Sequence, residues 1–366
     1  MQLRTIKDFL VDISLTPTAL AARIAPVKRG TSKIGYIGWV GHANLGDEAM
    51  FQAISKSLAP NQVLPLLPVT GERLLEAVGA GGAKRFGAVV LGGGTLINRF
   101  YIDLAKLVAS WKVPFCVAGT GVGSPGFGFS SGDEGNLQGW AEILRRSPLV
   151  GVRGPKSAQL LQGTGVSNVE IIGDPALAFT PDSLPPLRAK PRLVLNLGPD
   201  CHSQNAGVAS VAREFLRGSG EVVGVALGAG DRACLLRFRR QHGFKEMSVE
   251  SHRDAAERLF RTLAGSQAVI SVRLHAAVLA ACAGVPSVLL AYRSKCLDFM
   301  SSMNLQEFAV ATSVAEDAPC LRELLCKIDC TPKLREMIHQ TALMWAGRQQ
   351  EFFGRLQMVA STGFNQ

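Results

Sequence analysis

The sequence has little aromatic character and no long apolar run: aromatics are 7% of its 366 residues and charged residues 19%. The most apolar stretch, Ala276 to Tyr292, is interrupted by Gly284 and Pro286. It falls short of the roughly 20 apolar residues that a membrane-spanning helix needs. The eight cysteines form no CxxC pair and no regular framework, so neither a disulfide scaffold nor a metal site is expected. Cys116 and Cys282 lie in apolar stretches and read as small buried hydrophobes. Residues 1–30 carry Arg4, Lys7, Asp8, Asp12 and Arg23, with Pro17 breaking the run, which argues against a secretory segment. The run Gly92–Gly94 has neither the spacing GxGxxG nor the Gly-Lys-Ser/Thr that follows in a P-loop.

What is abundant is glycine, 39 residues, and positive charge, a formal +10 with an isoelectric point near 9.4. The charge suits an anionic partner. Basic residues are scattered, Arg237, Arg239 and Arg240 being a short cluster, and no aromatic stacking motif lies among them, so nucleic acid is not expected. Hydrophobic residues at 47% describe a folded chain, and the length fits two domains with a cleft between them.

Short unbroken apolar runs alternate with helical spacing. Ile34 to Val40 is followed by helical spacing from Gly46 to Leu58. The run Gly87–Leu91 is followed by Gly92–Gly94 and an expected helix, Phe115–Ala118 by the glycine-rich turn Gly119–Gly123, and Leu149–Val152 by an expected helix from Pro155. This grammar predicts parallel sheets covered on both faces, an α/β architecture of two Rossmann-like doubly wound domains. Expected boundaries are a helical extension at 1–32 with residues 2–24 amphipathic, a first domain at 33–180, a proline-rich linker at 181–191, a second domain at 192–330 and a terminal helical segment at 331–366. The second series of strands is expected at Leu193–Leu197, Val222–Leu227, Ala268–Ser271 and Ser287–Ala291.

In open parallel sheets ligands sit beyond the carboxyl ends of the strands, which directs attention to four loops. In the first, Asn44 and Asp47 either bind hydroxyls or cap the following helix. In the second, Gly93, Gly94 and Thr95 form an amide-rich turn suited to an anion, or a turn with no ligand. In the third, Arg153 follows an apolar strand and suits bidentate contact with phosphate or carboxylate, the alternative being a surface arginine. In the fourth, Arg273 and His275 are two apart; in an extended segment they face one side, joining a fixed cation to a titratable proton donor, the alternative being a histidine that merely caps the helix.

The segments GHANLGDEAMFQAI, LGGGTLI, AGTGVG, GVRGPKSAQLL, GDPAL and VISVRLHAAVLAACAGVPSVLLAYRSKCLDFM, over about residues 34–300, resemble the polysaccharide pyruvyl transferase family. The resemblance implies a GT-B-like pair of domains and transfer from phosphoenolpyruvate to a sugar or lipid-linked oligosaccharide, with no metal or cofactor. It implies that Arg273 and His275 bind the donor and supply its proton, that Arg153 is a second anion clamp, and that Asn44 and Asp47 lie at the cleft. Gly154 stands where members usually have an acidic residue, which leaves the local helix cap open. The alternatives are a GT-B nucleotide-sugar glycosyltransferase and an inactive glycan-assembly partner. A cytoplasmic protein that touches the acidic inner membrane face suits the charge.

Overall fold

The computed structural model describes residues 32–42, 44–66, 86–111, 113–123, 136–199, 205–252, 256–329 and 333–362. The amphipathic stretch expected at 2–24 lies outside them.

Two all-parallel sheets build the protein. The first contains β1 (Lys33–Ile37), β2 (Gln62–Pro65), β3 (Phe86–Leu91), β4 (Gly94–Ile97), β5 (Phe115–Val122), β6 (Val150–Val152) and β7 (Val169–Ile171), in the order β2-β1-β3-β5-β6-β7 with β4 beside β5. The helices joining them are α1 (Leu45–Ser57), α2 (Ile102–Ala109), α3 (Leu137–Leu144) and α4 (Pro155–Gln162). Every residue of β3 and β5 is buried, as a sheet covered on both faces demands.

The second sheet contains β8 (Arg192–Asn196), β9 (Glu221–Ala226), β10 (Ser248–Ser251), β11 (Ala268–Ser271), β12 (Ser287–Ala291) and β13 (Ala309–Ala311), in the order β10-β9-β8-β11-β12-β13. Its helices are α5 (Ala206–Arg217), α6 (Asp231–Gln241), α7 (Ala256–Leu263), α8 (Leu274–Cys282), α9 (Ser294–Ser302) and α10 (Ala318–Asp329). The winding direction reverses between β1 and β3 in one sheet and between β8 and β11 in the other. These reversals open crevices at the carboxyl ends of those strands, where ligands of such folds bind.

One local expectation fails. The glycines after β3 do not lead into a helix; they lead into β4, whose Gly94 pairs with Thr120 of β5. Strand β5 likewise runs through Gly119 to Val122 rather than ending at Ala118. Without Cβ atoms these glycines let chain pass where side chains would collide: a Cβ on Gly93 would lie 2.0 Å from Met50 Sδ.

The halves are welded together. Leu45, Met50, Ala176 and Leu177 of the first half belong to the same buried cluster as the second sheet. Helix α11 (Leu334–Thr362) is 29 residues long, about 43 Å at 1.5 Å per residue. Three turns in, Trp345 Nε1 donates to the Ser302 carbonyl at 3.0 Å, and near the end Gln357 donates to the Ala59 carbonyl at 2.8 Å. The helix therefore ties both halves. Among the described residues no helix is long and apolar enough to cross a membrane.

Candidate functional site

The site grows from a carboxylate that follows β7. Gly173 adopts φ +78°, a conformation that side chains disfavour, and turns the chain so that Asp174 caps the 3-10 turn Pro175–Phe179 by accepting from Ala176 N at 3.0 Å. Asp174 is fully buried, and its Oδ2 accepts from Arg153 Nε at 2.9 Å. The same oxygen lies 3.6 Å from His275 Nε2. Burial alone would raise the Asp174 pKa, but His275, Arg153 and the Ala176 amide outweigh it and hold it down to about 2. Gln349 of α11, also buried, donates to the backbone carbonyls of Ile172 and Asp174 and fixes the turn from behind.

Arg153 is neither a surface arginine nor an open anion clamp: it is fully enclosed. Its Nε is committed to Asp174 and its Nη2 to the Gly94 carbonyl, while Nη1 is buried with no hydrogen-bond partner among the described residues. Gly94, at φ +101°, thus joins the cluster through its backbone oxygen. Gly93 is buried, Gly94 and Thr95 are partly exposed, and the Thr95 hydroxyl has no partner among the described residues.

His275 sits at the second position of α8, packed on the first half: a Cβ on Gly46 would lie 1.9 Å from its Nδ1. Its Nε2 is buried and makes no hydrogen bond among the described residues. Asp47, next to Gly46, is partly buried; desolvation raises its pKa, opposed by the charges of His275, Lys295 and Arg153. Lys295 belongs to α9. Burial opposes its charge, yet Tyr292, Cys296 and Asp47 outweigh that and raise its pKa. Asn44 is exposed and caps α1, its side chain accepting from Gly46 N at 3.3 Å.

Arg273 and His275 do not face one side. The extended segment ends at Arg273, the N-cap of α8, and helical rotation from Leu274 onward sends the two side chains to different carboxylates. Arg273 meets Asp231, with Nη2 to Oδ1 at 2.8 Å and Nε to Oδ1 at 3.1 Å, beside Gly198 and Gly228 at the β8/β11 crevice. The two centres are nonetheless neighbours across α1: Leu45 N donates to the Leu227 carbonyl at 3.1 Å, and Leu227 N donates to Asp231. Gly46, one residue on, touches His275.

Gly154 is explained by a contact between the halves. Asp298 of α9 reaches over the start of α4, its Oδ1 accepting from Lys156 N at 3.0 Å and its Oδ2 from Ser157 Oγ at 2.6 Å. A Cβ on Gly154 would lie 2.4 Å from Asp298 Oδ1, so a distant carboxylate supplies the cap and excludes a local one. Arg153, Asp174, His275, Asp47 and Lys295 together form one cluster of alternating charge, able to hold an anion beside a proton donor. Reading the sequence missed Asp174, Lys295, Gln349 and Asp298. The Gly-Asp-Pro triplet at 173–175 was the available signal for the first.

The profile of the polysaccharide pyruvyl transferase family matches residues 44–294. No curated protein sequence matches the chain. Solved structures of similar fold include a putative UDP-N-acetylglucosamine 2-epimerase from Listeria monocytogenes, 12% identical, covering 85% of this chain and 91% of that one with a TM-score of 0.56. The S. aureus MnaA–UDP structure is 13% identical, covers 85% and 91% of the two chains and has a TM-score of 0.57. Anabaena Alr3699/HepE in complex with UDP-glucose is 13% identical, covers 90% and 98% and has a TM-score of 0.55. At such identities the likeness speaks for the fold, two parallel-sheet α/β domains of GT-B-like arrangement. The family match spans more than half of the sequence and includes every member of the charge cluster but Lys295, so the chain belongs to the polysaccharide pyruvyl transferase family and is an enzyme of that kind.

Proposed function

We propose that the protein transfers the enolpyruvyl unit of phosphoenolpyruvate to two hydroxyls, vicinal or 1,3-related, of a sugar in a cell-surface polysaccharide or its lipid-linked precursor. The product is a pyruvate ketal, and phosphate is released. Protonation of the donor methylene makes an oxocarbenium-like carbon; one hydroxyl adds, phosphate departs, and the second hydroxyl closes the ketal. The observation that carries this reading is the state of His275, whose Nε2 is held 3.6 Å from the Asp174 carboxylate yet has no hydrogen-bond partner among the described residues. An imidazole beside a buried carboxylate is placed for general-acid work on a bound donor, a contribution of about 10²–10⁴-fold.

In this reading Lys295 meets the donor's phosphate or carboxylate, and Arg153, behind Asp174, supplies positive potential from a dry site. Arg273, partly exposed across α1, takes the second anionic group. Asn44, Asp47, Gly94 and Thr95 border the acceptor side, Gly93 backing them. The reaction needs no metal and no nucleotide cofactor. Work on the cytoplasmic side, with contact to the acidic inner membrane face, accords with the net charge.

Thermal-shift titration separates this from a nucleotide-sugar enzyme of the same fold. Phosphoenolpyruvate is expected to raise the melting temperature and UDP-sugars to leave it unchanged; the reverse result overturns the proposal. His275→Ala is expected to lose phosphate release while keeping the wild-type circular dichroism spectrum.

A further inference from the structure

The rim of the first sheet presents an aromatic ring to solvent. Among the described residues Phe100 is the one aromatic side chain more than half exposed, at 56%. It stands in the turn Asn98–Tyr101, between β4 and α2. Strand β4 extends the lane of β3 along β5: Leu91 lies opposite Val117, Gly94 opposite Thr120 and Ile97 opposite Val122. The turn therefore rises beyond the carboxyl ends of β1 and β3, on the edge where ligands of such sheets bind. Trp39 and His42, their rings stacked at 3.9 Å, occupy the loop after β1 on the same edge.

The turn is held from within. Buried Asn98 accepts through Oδ1 from Phe100 N at 2.8 Å and from Tyr101 N at 3.3 Å, and its Nδ2 donates to the Thr95 carbonyl at 2.7 Å. Its own carbonyl accepts from Nε1 of fully buried Trp140 at 3.0 Å. A ring fixed outward in this way loses little freedom when a ligand covers it. Arg99 sets its guanidinium carbon 4.8 Å from the Phe100 ring centroid and makes no ion pair among the described residues. The strand joins this turn to the charge cluster. Gly94, its first residue, accepts from Arg153 through its carbonyl, and a Cβ on it would lie 3.7 Å from Asp47 Oδ1. Tyr101 is partly exposed; burial raises the pKa of its hydroxyl and the charge of Asp47 adds to the rise, so the two groups lie within electrostatic reach. Gly94 to Phe100 spans at most about 20 Å of extended chain, so a glycan with its diol in the cluster passes this turn with its neighbouring units.

A pyranose has a face of C–H groups that packs on an aromatic ring, and an exposed guanidinium takes a carboxylate or phosphate in a bidentate pair. We propose that Arg99, Phe100 and Tyr101 form the acceptor subsite. Phe100 packs on the C–H face of a sugar unit, Arg99 pairs with an acidic group on the same glycan, and Tyr101 borders the side towards Asp47. The acceptor is thus an acidic glycan, which also suits the formal charge of +10. This rests on the pyruvyl-transfer reading for the acceptor being a sugar; the turn selects which sugar is held.

Saturation-transfer NMR on the full chain tests the subsite, with methyl β-galactoside and methyl β-galacturonide as probes. The C–H-face protons of the galacturonide are expected to be saturated by wild type, about five-fold less by Phe100→Ala, and undiminished by Phe100→Trp. Arg99→Gln should bring the galacturonide signal down to that of the galactoside. The melting temperature of Phe100→Ala, and its rise with phosphoenolpyruvate, should match wild type. Equal saturation by wild type and Phe100→Ala, or none by wild type, overturns the proposal. So does a melting temperature lowered by Phe100→Ala alone, which makes the ring part of the fold. Equal galactoside and galacturonide signals in wild type overturn the acidic acceptor and remove Arg99. The expected saturation pattern without any thermal shift from phosphoenolpyruvate sinks the donor reading instead and leaves the glycan subsite standing.

Discussion

Replacing Asp174 by asparagine tests the core of the site through stability alone. The side chain is enclosed, accepts from Arg153 at 2.9 Å and stands 3.6 Å from His275. A carboxyl held at about 2 against an ordinary 3.8 contributes about 2 kcal/mol at neutral pH. Because the folded value is the lower one, that contribution is complete above pH 4 and fades as pH falls towards 2. The Asp174→Asn change would remove it at every pH and also strand Arg153, whose Nη1 already has no described partner. Deleting one partner of a buried ion pair costs about 3–5 kcal/mol, whereas replacing both by apolar or neutral groups is far milder. Urea unfolding at pH 7 should therefore show Asp174→Asn destabilised by about 3–5 kcal/mol. Arg153→Met combined with Asp174→Asn should lose much less than the sum of the single changes. A single variant within about 1 kcal/mol of wild type, or strict additivity, would refute the claim that Asp174 neutralises a buried guanidinium.

Three further outcomes follow from particular contacts. Gly46→Ala places a methyl where His275 Nδ1 stands, 1.9 Å away, and should lower kcat at least ten-fold with phosphoenolpyruvate, measured by phosphate release. Lys295→Gln should weaken phosphoenolpyruvate binding by about ten-fold or more in calorimetry, the size of one charge-assisted bond; unchanged affinity removes Lys295 from the donor site. Burial pushes the thiols of Cys116 and Cys282 up to about 12, so iodoacetamide at pH 8 should label exposed Cys326 first and leave those two unmodified in the folded protein by peptide mass mapping.

Much of the architecture is legible from apolar runs, because strands buried on both faces must be apolar throughout. Strands β11 and β12 lie at Ala268–Ser271 and Ser287–Ala291, the limits that the pattern predicts. The edge strands β2, β7 and β10 are short and partly polar, so they carry no such signature. Strand β4 hides in a glycine run that reads as a turn. In the site, Arg153 and His275 stand out as polar residues at the ends of apolar strands. Lys295 and Asp298 do not, because their meaning comes from α9 folding back on the first half, a contact that no local spacing encodes. The same-side placement of Arg273 and His275 fails for a local reason: the helix starts one residue after the arginine.

The most direct test of the central claim is a crystal structure with phosphoenolpyruvate soaked in. The account predicts the donor lodged between α1, α8 and α9, with Lys295 on an anionic group and the methylene carbon within reach of the His275 ring. A donor bound elsewhere, touching neither Lys295 nor His275, would contradict it.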